Sequence, residues 1–92
     1  MEYVLITGSA SGLGLEFAKI YAKDGQNLIL VDMNEEGLEK AKESLSSINQ
    51  KIDVVTFKCD LSILDELKSL TKFLEEKNYY VSTLINSAGF GD

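Results

Sequence analysis

Gly8-Ser9-Ala10-Ser11-Gly12-Leu13-Gly14 follows directly on Glu2-Tyr3-Val4-Leu5-Ile6-Thr7, a run rich in β-branched and aromatic residues. The six residues read as a strand, and three glycines in the next seven read as a tight turn. From Gly12 to about Asp24, apolar residues recur at Leu13, Phe17, Ile20 and Tyr21, the spacing of one helical face, and Gly25 stands where a glycine stop belongs. A helix therefore opens straight from the turn. Such a turn presents free backbone N–H groups and the positive end of the helix dipole, which together favour a phosphate. Glycine suits it because a side chain would hold a pyrophosphate off the backbone, and because the turn calls for positive φ. By itself, a three-glycine turn is equally compatible with a structural loop.

The same unit repeats outward from this point. Asn27-Leu28-Ile29-Leu30-Val31-Asp32 is a continuous apolar run of the kind buried on both faces of a parallel sheet. Asn34 is an N-cap followed by Glu35 and Glu36 in the favourable first turn, and Leu38, Ala41, Leu45 and Ile48 mark the apolar stripe of a second helix. Asp53 to Asp60 reads as a third strand. Ser62 is expected to cap a third helix, with Asp65 completing a capping box and Leu64, Leu67, Leu70 and Leu74 forming its stripe. Val81 to Asn86 is the last readable strand. The order β-α-β-α-β-α-β, with short connections and no proline, predicts an α/β fold: a Rossmann-type, doubly wound parallel sheet with right-handed crossovers and strand order 3-2-1-4. Residues 1–92 read as one unit without an internal linker.

Composition narrows the function. Fifteen acidic residues against nine basic ones leave a net charge of −6, the wrong sign for wrapping nucleic acid or lying on an anionic membrane. The apolar runs fall far short of the roughly 20 residues needed to cross a bilayer, and no basic segment precedes the first of them. The expected location is the cytoplasm. The single Cys59 has no partner for an internal disulfide and no histidine for a zinc site, so it reads as a small buried residue on the third strand.

Asp32 gives the glycine turn its context. It lies 18 residues past Gly14 at the end of the second strand, where a carboxylate can accept hydrogen bonds from the ribose hydroxyls of a dinucleotide. The alternative is an ordinary helix-entry aspartate. No lysine follows a glycine as it does in the phosphate loop of nucleoside triphosphatases, so turn and acid together favour a dinucleotide.

These residues resemble the short-chain dehydrogenases/reductases. Thr7-Gly8-Ser9-Ala10-Ser11-Gly12-Leu13-Gly14 is similar to the family's Thr-Gly-x-x-x-Gly-x-Gly pattern, Cys59-Asp60-Leu61 to its Asp-Val/Leu pair, and Asn86-Ser87-Ala88-Gly89 to its Asn-Asn-Ala-Gly. The resemblance covers the whole chain and implies hydride transfer with NAD or NADP. It implies that the Asp60 carboxylate and the Leu61 N–H hold the adenine ring, and that Asn86, Ala88 and Gly89 lie beside the cofactor. Ser87 departs from the pattern, standing where the family has a second Asn. NADP-preferring members place a basic residue before the second glycine or just after the second strand, and those positions here are Ser11 and Met33. A 2′-phosphate brought about 4 Å from the Asp32 carboxylate is repelled by about 1 kcal/mol per charge pair in water and about 4 at an effective dielectric near 20. NAD is therefore expected over NADP.

The family's catalytic Tyr-x-x-x-Lys is absent from these residues: Tyr3, Tyr21, Tyr79 and Tyr80 are followed four positions on by Thr7, Gly25, Thr83 and Leu84. The expectation is the dinucleotide-binding front of an oxidoreductase acting on a small alcohol or carbonyl, able to bind but not to turn over alone. Its fourth strand would be left as an apolar edge prone to self-association. Two readings compete: a free-standing nucleotide-binding or regulatory module completed by a partner chain, and a methyltransferase whose turn and acid hold S-adenosylmethionine.

Overall fold

Strand and helix alternate as the periodicity requires. The computed structural model describes residues 1–88. Its elements are β1 (Glu2–Thr7), α1 (Gly12–Lys23), β2 (Asn27–Asp32), α2 (Glu35–Ile48), β3 (Val54–Lys58), α3 (Leu64–Glu76) and β4 (Tyr80–Asn86). All three strand pairings are parallel, and the order is β3-β2-β1-β4, as expected from the sequence. Leu5 is paired with Ile29 on one side and Leu84 on the other; the β1–β4 register slips by one residue between Tyr3 and Val4.

The continuous apolar runs are explained by burial on two faces. Val4, Ile6, Leu28, Leu30 and Val54 point to one side, where Ala18 and Ala22 of α1 and Leu38, Ala41 and Leu45 of α2 cover them. Tyr3, Leu5, Ile29 and Val31 point to the other, against Leu70 of α3, with Phe57, Leu74 and Tyr79 packed around them. This distribution is what right-handed crossovers produce when the chain winds outward from β1 to β3 and then returns to β4. The reversal lies between β1 and β4, and the crevice at such a switch point, outside the carboxyl ends of the strands, is where open α/β sheets bind ligands.

Four local expectations are corrected. The buried face of α1 is Gly14, Ala18 and Ala22, while Leu13 and Ile20 are 41% and 61% exposed. Small residues let this helix lie close to the sheet, and Phe17 and Tyr21 of the expected face pack, half-buried, against the core beside them. Ile48 and the first-turn leucines of α3, Leu64 and Leu67, are also exposed. Ser62 does not cap α3: Ile63 holds the cap position, and the Ser62 hydroxyl turns back to donate to Asp60 Oδ1 at 2.6 Å. The Asp side chain two residues upstream captures it in a local turn, which removes the capping box. Finally, β3 ends at Lys58, leaving Cys59 buried one residue beyond the strand. Among the described residues no helix is long and apolar enough to cross a membrane.

Candidate dinucleotide site

The carboxyl ends of the four strands enclose a cleft of about 510 Å³. Gly8 and Ser11 enter it from the turn after β1, Val31 to Asn34 from the end of β2, Cys59 to Ser62 from the end of β3, and Ser87 and Ala88 from the end of β4. It is built by topology, since these segments are far apart in sequence.

The wall formed by the turn is backbone. Gly8 has φ +64°, and a Cβ there would lie 2.8 Å from Ala88 Cα, so only glycine fits without displacing the β4 terminus. Gly14 answers a different need: a Cβ on it would overlap the Gly8 carbonyl and the Ser87 hydroxyl. Its role is close contact of helix and turn rather than positive φ. Thr7 ties the ends of β1 and β4 together, with its hydroxyl donating to Asn86 Oδ1 at 2.8 Å and accepting from the Ala88 N–H at 3.3 Å. The buried Ser87 hydroxyl donates to the Thr7 carbonyl. The residue that departs from the family motif thus stitches β4 to β1 with its hydroxyl.

Two carboxylates face the cleft. Asp32 Oδ2 accepts from the Ala10 N–H and Oδ1 from the Asn34 N–H, each at 3.0 Å. Asp60 Oδ1 accepts from both the hydroxyl and the N–H of Ser62, while the Asp60 N–H donates to Glu66 Oε1. The Ser62 hydroxyl, and after it the Ser62 amide, hold the Asp60 carboxyl below its ordinary value, because both stabilise its charged form. Burial pushes the Cys59 thiol up, with Glu66 and Asp60 adding to the shift, so it is the opposite of an activated nucleophile.

The candidate residues thus divide. Gly8, Ser11, Asp32, Met33, Asp60, Leu61 and Ala88 converge on the cleft. Gly12 and Leu13 form the exposed start of α1, Gly14 is buried beneath the turn, and Asn86 is held at the strand end by Thr7. Gly89 lies outside the described residues. Val31, Asn34, Cys59, Ser62 and Ser87 line the cleft in addition to the residues expected from the sequence. Asn34 and Ser62 are legible in sequence as caps, and Asn34 does cap α2 by accepting from the Gly37 N–H at 3.0 Å. That the same turns also wall a cleft requires the sheet order.

The chain matches the family model described as short chain dehydrogenase over residues 2–92. It is 35% identical over 94 residues to the dehydrogenase/reductase SDR family protein 7-like of Dictyostelium discoideum, covering 98% of this chain and 29% of that protein. L-sorbose reductase from Gluconobacter frateurii, solved in complex with NADPH and L-sorbose, is similar with a TM-score of 0.87 and 28% identity over 98% of this chain and 34% of its own. NAD+-bound xylitol dehydrogenase is similar with a TM-score of 0.74 and 25% identity over 86% of this chain and 30% of its own. The chain spans about a third of the length of the curated relatives it matches. Matched along almost its whole length and folded as a Rossmann-type sheet with its glycine turn at the switch point, it belongs to the short-chain dehydrogenase family.

Proposed function

We propose that residues 1–92 are the NAD-binding part of an oxidoreductase acting on an alcohol or carbonyl. The observation that carries this reading is the convergence, in one cleft at the switch point, of a backbone-walled glycine turn and two carboxylates from the next two strands. A nicotinamide dinucleotide supplies the hydride chemistry when bound, and the residues present suit its three recognisable parts. The Gly8–Gly14 turn offers N–H groups and the α1 dipole to the pyrophosphate. Asp32, with Met33 beside it, faces the adenosine ribose; Asp60 and the Leu61 N–H take the adenine. Asn86 and Ala88 lie beside the cofactor.

NAD is proposed over NADP because Asp32 presents a negative charge where a 2′-phosphate would go, and among the described residues no lysine or arginine lines the cleft to offset it. The proton-transfer residues of the reaction are assigned to other parts of the protein, since no tyrosine here is followed by lysine at the fourth position. The proposed location is the cytoplasm. Self-association is proposed through the sheet face beside α3, where Leu84 is 62% exposed, and sedimentation of a Leu84→Ser variant against the unaltered chain checks it.

The decisive test of the cofactor reading is fluorescence titration of the full chain with NADH and with NADPH at matched ionic strength. NADH should bind more tightly by between about tenfold and a thousandfold. Equal affinities, or a preference for NADPH, would refute the assignment of Asp32.

A further inference from the structure

We propose that Asp32 also clamps the glycine turn, holding its backbone in a phosphate-ready form before any ligand arrives. The inference rests on the dinucleotide reading of the cleft but gives Asp32 a second task within it, that of a positioning residue.

The turn is costly to order. Gly8 and Gly12 bracket it at φ +64° and +57°, and glycine is the residue that loses most conformational freedom when fixed. One set of contacts that fixes it comes from 22 residues away. Val31 O accepts from both the N–H and the hydroxyl of Ser9, at 3.4 and 3.3 Å, and the adjacent Asp32 carboxylate accepts from the Ala10 N–H at 3.0 Å. The other Asp32 oxygen accepts from the Asn34 N–H, also at 3.0 Å, and Asn34 in turn caps α2. At Gly37 an added Cβ would meet Ala10 Cβ at 2.9 Å, so the first turn of α2 lies directly against the same residue that Asp32 holds. Turn, strand end and helix start are thereby joined through one carboxylate. An ionised carboxylate has about four acceptor positions, and two are used here, which leaves outward-facing capacity for ribose hydroxyls. The two tasks are compatible.

Charge makes the idea sharply testable. On Coulomb grounds alone, a carboxylate next to an anion-binding turn opposes the anion, and its removal should tighten binding of a small phosphate compound. If Asp32 organises the turn, its removal should weaken that binding instead. The experiment uses the full chain, unaltered and as Asp32→Ala and Asp32→Asn, with hydrogen exchange at the Ala10 and Asn34 amides read without ligand and inorganic pyrophosphate titrated by calorimetry. Exchange at Leu28 to Val31 reports that the sheet is intact, and the Asn variant, which keeps the size and one carbonyl acceptor, serves if the Ala variant does not fold. The expected result is exchange at Ala10 faster by about tenfold or more, and pyrophosphate affinity lower by about threefold or more, with the Asn variant intermediate. Unchanged amide exchange, or unchanged or tighter pyrophosphate binding, overturns the clamp. Failure of the unaltered chain to bind NADH overturns the dinucleotide reading instead, so the two are separately exposed.

Discussion

Replacing Asp32 by alanine should change the ratio of NADPH to NADH affinity far more than it changes either stability or fold. A 2′-phosphate carries between about 1.5 and 2 negative charges near neutral pH. The Asp32 carboxylate is half-buried at the mouth of the cleft, so solvent screens it and the wet end of the dielectric range applies. At about 4 Å, two charge pairs of about 1 kcal/mol each amount to about 2 kcal/mol of repulsion removed, or roughly 30-fold in favour of NADPH. NADH meanwhile loses a charged acceptor for its ribose hydroxyls, a loss of about 1.5 kcal/mol or more, or roughly tenfold. Loosening of the glycine turn weakens both cofactors alike and cancels in the ratio. The ratio should therefore move by between about a hundredfold and a thousandfold. Fluorescence titrations of the two reduced cofactors against both proteins measure it directly. Repeating them at higher salt should shrink the charge contribution but leave the hydrogen-bond contribution. A ratio that stays within about threefold of the original would refute the placement of Asp32 against the ribose.

Three further outcomes follow from the geometry. Gly14→Ala should destabilise the protein by about 1–3 kcal/mol, because its Cβ overlaps the Gly8 carbonyl and the Ser87 hydroxyl, whereas Gly25→Ala, at φ +81° with open space around it, carries only the backbone strain of about 1–2 kcal/mol and should leave cofactor affinity intact; denaturant melts with cofactor titrations separate the two. Burial, and then the 2.5 Å hydrogen bond to Asp53, raise the Tyr3 phenol well above its ordinary value of 10. The folded state thus keeps a proton the unfolded state releases, so this contribution to stability is whole below about pH 10 and declines as the pH climbs towards the folded value; Tyr3→Phe should flatten that alkaline decline, and melts between about pH 9 and 11 that show the same slope in both proteins would contradict it. Ser62→Ala removes the donor that keeps Asp60 ionised, so the acid limb of NADH binding should move to higher pH, while Ser62→Thr should restore it.

Much of this molecule is written in local pattern. The strands announce themselves because a parallel sheet covered on both faces demands unbroken apolar runs, as in Leu28 to Val31, and turn glycines must stand where φ is positive, as at Gly8. The α1 face departs from its pattern only in part, for a reason equally physical. Periodicity weighs bulk, and of Leu13, Phe17, Ile20 and Tyr21 only Phe17 and Tyr21 pack, half-buried, against the core, while the fully buried positions are the small Gly14, Ala18 and Ala22. The Ser62 cap fails because α3 begins one residue later, with Ile63 at the cap position and the Ser62 hydroxyl donating to Asp60 Oδ1.

The order of elements and the parallel topology are legible in the chain alone, since they depend on period, glycine placement and the short links between units. That Asp32 reaches back to Ala10, that Ser87 stitches β4 to β1, and that Asn34 and Ser62 wall the same cleft emerges only once the sheet has assembled. The reason is that a strand's neighbours are set by how the whole sheet closes, and a hydrogen bond spanning 22 or 80 residues leaves no periodic trace in the chain that makes it.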